Sequence, residues 1–276
     1  MVYFRNFILF VIVCAFGGGS LPQLNAQIAL DSTIVVFGDT RTNHDIHRSI
    51  VKEIMLYKPV AVFHTGDLVY NGNSNSAWSL FQQIMSPILD SSRFYPSFGN
   101  HEMHSAKMSD DFKVPNNGKW YSVNIGCIHF VVIDNYSDFK KGSSQYKWLV
   151  SDLAGASNYM FRVVVMHLPV YTSGPHRTKL KKLRKHLVPL FEKYSVSVVF
   201  NGHVHCYERA FSNNIYYITT GGGGAPLHSK AHDIPESQIF IHNYNYCTLK
   251  IYNKNLEIQA LDTNMRVIDE VHIHGN

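Results

Sequence analysis

Five short blocks in this chain carry residue types that bind metal ions: Gly38-Asp39, Gly66-Asp67-Leu68-Val69-Tyr70, Gly99-Asn100-His101-Glu102, Val165-Met166-His167 and Gly202-His203-Val204-His205. Carboxylates beside glycine, a neutral amide oxygen and four imidazoles suit a pair of di- or trivalent cations. A bridging carboxylate must sit on a tight turn, and an adjacent glycine lets the backbone come close. His203 and His205 stand at i and i+2, on one face of an extended segment, so the two rings can reach neighbouring ions. Asn100 and His101 are adjacent and point apart, so one can ligate while the other faces substrate. Any one block alone is an ordinary turn or a packed histidine. Together, in order, they predict a two-metal hydrolase.

Each block follows a run that reads as a buried strand, and open α/β sheets gather functional groups at strand ends. Strands are expected at 33–37, 60–64, 93–98, 121–125, 128–134, 161–166 and 196–200, being β-branched or aromatic and bounded by turn residues. Helices are expected at 44–57, 77–89, 144–153 and 178–194. Beyond residue 210 the runs 215–220, 246–252, 256–261 and 265–273 read as strands alone. An α/β front with an all-β tail suits two sheets packed face to face with helices outside.

The chain has 276 residues, of which 45% are apolar and 16% charged, enough for one large core. No internal repeat or low-complexity linker divides it. The formal net charge is +5, yet Lys and Arg are scattered apart from Arg177 to Lys185, which argues against a nucleic-acid partner. In that run the cations interleave with Leu180, Leu183, Leu187 and Leu190 at helical spacing, the pattern of a solvated helix face.

Arg5 precedes an apolar stretch, Phe7 to Phe16, too short to span a bilayer comfortably and laid out like a secretory signal peptide. Residues 1–26 are therefore expected to be a leader and 27–276 one catalytic domain, secreted or periplasmic, with no membrane span after cleavage. Cys127, Cys206 and Cys247 would remain, an odd number with no zinc-ribbon spacing, and are expected as buried free thiols. The sequence leaves the oligomeric state open.

In order and content the blocks resemble the calcineurin-like metallophosphoesterases. Tyr70 three residues after Asp67, with Gly202-His203-Val204-His205-Cys206-Tyr207-Glu208-Arg209, is similar to the purple acid phosphatase branch in its compact single-domain form. The resemblance spans roughly residues 33 to 225. It implies a four-layer αββα sandwich of two mixed β-sheets flanked by helices, and a dinuclear site. Asp39, Asp67, Tyr70 and His205 would hold a first, ferric ion. Asp67, Asn100, His167 and His203 would hold a second, divalent one: iron, zinc or manganese. A phenol binds as phenolate only beside a strongly Lewis-acidic cation, which is why Tyr70 favours ferric iron.

The activity so implied is hydrolysis of a small phosphomonoester by metal-bound hydroxide, at mildly acidic pH, with no covalent intermediate. His101 is assigned to phosphate contact and leaving-group stabilisation. His176, nine residues after His167, is assigned to proton donation, a spacing similar to that of the compact phosphatases. A phosphodiesterase is the alternative within the same chemistry, and a non-catalytic secreted metal-binding protein the alternative of another class.

Three features depart from the pattern or stand outside it. Thr40-Arg41 occupies a stretch where purple acid phosphatases usually carry Gly two residues after the first Asp; Arg41 is read either as a phosphate contact or as a salt-bridged surface residue. Gly221 to Gly224 is expected to be a flexible turn. His64, His129, His228, His272 and His274 have no spacing pattern, so core or surface roles are expected for them.

Overall fold

The computed structural model describes residues 32–275 apart from His104, Ala106 and Thr178. The expected leader, with Cys14, lies outside the described residues.

The chain opens with alternating strands and helices: β1 (Ile34–Phe37), α1 (His44–Leu56), β2 (Ala61–His64), α2 (Asn75–Ser91) and β3 (Arg93–Pro96). After α3 (Lys107–Phe112) come β4 (Tyr121–Ile125), β5 (Ile128–Ile133), α4 (Ser144–Gly155), β6 (Phe161–Met166), α5 (Leu180–His186), α6 (Val188–Lys193) and β7 (Val198–Asn201). The remainder is all strand: β8 (Tyr207–Ser212), β9 (Ile215–Thr220), β10 (Ser237–Ile241), β11 (Asn245–Tyr252), β12 (Asn255–Asp262) and β13 (Val267–His274).

Two mixed sheets result. One has the order β13-β12-β11-β1-β2-β3, with β1, β2 and β3 parallel; the other has β10-β8-β9-β7-β6-β5-β4, with β5, β6, β7 and β9 parallel. Alternation along the strands builds the layers. Ile34, Val36 and Phe63 face Phe130, Val132, Val165 and Phe200 between the sheets, and Phe63 stacks on Phe130 with centroids 4.2 Å apart. Val35, Phe37 and Val62 turn outward under α1 and α2, onto Ile50, Ile54, Trp78 and Phe81. On the far side Val131, Val164 and Val199 meet Leu149 and Leu153 of α4 and Leu183, Leu187 and Phe191 around α5 and α6. The order is therefore helix, sheet, sheet, helix, as expected.

The single helix expected over 178–194 is two. Pro189 has no N–H to donate and its ring obstructs the preceding turn, so α5 ends at His186 and α6 begins at Val188. Strand β3 stops at Pro96 rather than Phe98: the Ser97 amide makes the last bond to β2, donating to His64 O at 2.7 Å, and its hydroxyl turns to the other sheet, donating to Ile133 O at 3.2 Å. Helix α3 and strands β8 and β10 carry no strong period, so hydrophobic patterning does not reveal them.

The sheets are also tied by a polar clamp. Asp269 on β13 accepts Arg209 Nε at 2.6 Å, Arg209 Nη2 at 3.1 Å and Tyr207 Oη at 2.7 Å, both partners being on β8 of the other sheet. The free thiols are as expected at Cys206 and Cys247, which are buried, whereas Cys127 is half-buried. Among the described residues no helix is long and apolar enough to cross a membrane.

Candidate metal centre

All the expected ligand blocks except Tyr70 meet at one edge of the sandwich, where the C-terminal ends of parallel strands from both sheets converge. Asp39, Asp67 and Asn100 follow β1, β2 and β3; His167 follows β6, and His203 and His205 follow β7. One sheet thus contributes the oxygen donors and the other the nitrogens.

The turns that present them are constrained. Asp39 (φ 61°), Asp67 (φ 56°) and His203 (φ 67°) all adopt the left-handed conformation that non-glycine residues rarely take. Gly66 (φ 102°) permits this at the second block, where an added Cβ would lie 2.7 Å from both the Gly99 amide and His167 Nδ1. The His203 amide donates to Asp39 Oδ2 at 3.0 Å, and the His101 amide to Asp67 Oδ1 at 3.1 Å.

Carboxylate and imidazole atoms of Asp39, Asp67 and His205 lie within 4.8 Å of one another. Beside them Asn100 Oδ1 lies 3.2 Å from His167 Nε2 and 3.0 Å from His203 Nδ1, and the two ring nitrogens are 3.2 Å apart. Such spacing between lone-pair atoms is what donors around a common ion at about 2.1 Å would show.

The ring orientations fit the same purpose. His167 Nδ1 donates to Thr65 O at 2.9 Å and His205 Nδ1 to Pro226 O at 2.6 Å, so each Nε2 is left as an acceptor, 3.5 Å from Asp67 Oδ1 and Asp39 Oδ1 respectively. Asp39 and Asp67 are almost fully buried, and carboxylates in such a place require a compensating cation. Burial alone would lift the Asp39 carboxyl, yet the neighbouring His205, His167 and His203 rings hold it below the usual range. Burial and the His167 ring push His203 down to about 3, which keeps it neutral and able to ligate. The donor set therefore fits a dinuclear metal site.

Two imidazoles stand at the rim. His101 Nδ1 bonds Tyr70 O at 2.6 Å, leaving Nε2 free 3.8 Å from Asp67 Oδ2. His176 is exposed, its ring 5.3 Å from that of His203. Tyr70 is not brought into the cluster: its side chain is 63% exposed, although Leu68 and Val69 beside it are buried. Arg41 stands nearer, with Nε 3.6 Å from Asp67 Oδ2.

Several residues to which the sequence assigns no role also take part. Glu102 is fully buried and accepts three amides: Asp67 at 2.9 Å, Val69 at 3.0 Å and Gly99 at 3.0 Å. It locks two donor loops together; its place in the third block is the only signal of this in the sequence. Tyr136 Oη donates to Asn100 Oδ1 at 3.2 Å. Glu208 accepts Thr172 Oγ1 at 2.9 Å and the Ser173 amide at 2.8 Å, fixing the start of the loop that carries His176. His228, expected in a core or surface role, stacks on His205 with centroids 4.1 Å apart, accepts the His205 amide at 3.1 Å and lies 4.7 Å from the His176 ring. No spacing announces it, because it arrives on a loop 23 residues further on. The Gly221 to Gly224 segment is likewise no flexible turn: it is buried, with the Gly223 amide donating to Gly38 O at 2.8 Å and the Asn245 amide donating to Gly222 O at 3.1 Å.

Residues 32–207 match the family model described as calcineurin-like phosphoesterase. The chain belongs to that family. Among its relatives, purple acid phosphatase 1 of Ipomoea batatas is 28% identical over 232 residues, covering 68% of this chain and 49% of that protein. Purple acid phosphatase 21 of Arabidopsis thaliana is 31% identical over 185 residues, covering 58% of this chain and 42% of its own length. This phosphoesterase-family chain thus spans about half the length of the curated relatives it matches. Among solved structures, purple acid phosphatase PPD1 from yellow lupin (Lupinus luteus) superposes with a TM-score of 0.77 at 21% identity, covering 88% of this chain and 53% of that one, which shows the shared fold.

Proposed function

We propose that the chain is a dinuclear metal-dependent phosphatase that hydrolyses small phosphomonoesters outside the cytoplasm. The observation that carries this reading is the convergence of six donors from both sheets, with Asp67 central: Oδ1 lies 3.5 Å from His167, while Asp67, Asp39 and His205 form a second group within 4.8 Å. Asp39 and His205 would hold one ion and Asn100, His167 and His203 the other, with Asp67 bridging. When bound, the ions supply Lewis acidity toward phosphate oxygens and lower the pKa of bound water.

The protein's own groups do the rest. His101, held through Nδ1, would present Nε2 to the phosphate; His176, its ring 5.3 Å from that of His203, would give the departing alkoxide its proton. Buried Glu102 keeps the Asp67 and Gly99 turns in register, and Tyr136 orients the Asn100 amide so that its oxygen faces the two rings.

Metal analysis of the purified protein should find two ions per chain, and a nitrophenyl monoester should be turned over faster than the bis-ester. Asp67→Asn should lose both metal and turnover. A strong preference for the bis-ester would instead identify a phosphodiesterase, and two bound ions without any ester hydrolysis would identify a metal-binding protein on the same scaffold.

A further inference from the structure

Arg41 stands against Asp67, while Tyr70, which the family resemblance would make a ligand of the first ion, is exposed. The Arg41 Nε lies 3.6 Å from Asp67 Oδ2, and its side chain is only 17% exposed. That Nε is buried without a hydrogen-bond partner, so the charge is presented to the cluster rather than spent on a neighbouring backbone group. The guanidinium carbon is 6.0 Å from the Tyr70 ring centroid, so the arginine neighbours both the phenol ring and the carboxylate. A glycine two residues after Asp39 would leave this space open for an incoming phenol; an arginine fills it.

The backbone of the Tyr70 loop is also fastened. The Asp67 and Val69 amides are held by Glu102, Leu68 O accepts Thr40 Oγ1 at 3.1 Å, Tyr70 O is bonded to His101 Nδ1, and the Gly72 amide donates to His101 O at 2.9 Å. What Tyr70 contributes to the site is its carbonyl. Its phenol ring is largely exposed, 5.4 Å from the ring of His101.

We propose that the ion held by Asp39, Asp67 and His205 has no tyrosinate ligand, and that Arg41 is the resident cation on that side, facing the substrate phosphate. This rests on the metal-centre reading above and changes its chemistry. Relative to a tyrosinate site, the first ion loses one anionic donor and gains a positive neighbour, so the site favours a divalent ion over ferric iron.

The test is metal binding and visible absorption of protein stripped with a chelator and reloaded with ferric iron plus zinc, or with zinc alone. Wild type should show no tyrosinate-to-iron band, and Tyr70→Phe should bind zinc with wild-type affinity. Arg41→Gln should bind zinc severalfold more tightly, because a like charge beside Asp67 is gone. A visible band in the iron-loaded wild type that disappears in Tyr70→Phe, or a loss of zinc affinity of about tenfold in that variant, would overturn the proposal, as would unchanged or weaker zinc binding in Arg41→Gln. Wild type and both variants failing alike to take up any metal would instead sink the metal-centre reading and this proposal with it.

Discussion

Glu102 Oε2 accepts the Asp67 amide at 2.9 Å, so a carboxylate that never joins the donor cluster fixes the turn carrying its central member. Burial, reinforced by the Asp67 charge, holds the Glu102 carboxyl well above the usual carboxylate range even though three amides point at it.

Replacing Glu102 with Gln puts an NH2 group where an oxygen now accepts an amide, leaving buried donors face to face. The expected cost is about 1–3 kcal/mol of stability, read as a lower urea midpoint with unchanged slope. Because the turn positions donors, metal affinity should fall about 10–100-fold in a zinc titration.

His176→Ala should affect substrates according to their leaving groups. With an alkyl phosphate, whose alkoxide needs a proton, kcat should drop about 10²–10⁴-fold. With a nitrophenyl ester, whose phenolate leaves unaided, the drop should be much smaller. Equal losses on the two substrates would remove His176 from proton donation.

Stability should fall in mild acid through His64. This ring is fully buried between Thr40 Oγ1 at 3.1 Å and the Gly66 amide at 3.2 Å, and burial pushes its pKa down to about 3. The folded state therefore holds it neutral while the unfolded chain protonates near its ordinary value. Unfolded chains bind the extra proton between those two pKa values, so stability declines as pH drops below about 6.5, by up to ~1.4 kcal/mol per pH unit. Thermal melts at pH 7 and pH 5 should diverge, and His64→Asn should reduce that divergence.

Asp269→Ala should loosen the two sheets. It strands the Arg209 guanidinium and the Tyr207 hydroxyl in a half-buried place, and about 2–4 kcal/mol should be lost. Denaturant unfolding measures it. A double variant with Arg209→Met and Tyr207→Phe should recover part of the loss.

Asp39, Asp67, Asn100, His167, His203 and His205 are legible in the amino-acid sequence because strand-end turns impose short, rigid spacing that survives in one dimension. His228 is not: it reaches the site by long-range loop packing, held by the His205 amide, and nothing local in the sequence records that. The break at Pro189 is visible in principle, but leucine periodicity across Leu183, Leu187 and Leu190 masks it. At Tyr70 the spacing states which residue is near but not which way its side chain points: the ring is exposed, beside Arg41 and His101.

The even division of donors between the sheets has a consequence for how the molecule comes to life. Asp39, Asp67 and Asn100 stand on one layer and His167, His203 and His205 on the other, so the cluster is complete only where the two layers are docked. Under the proposed reading, a chain whose layers have not docked would offer an ion only half of its donors.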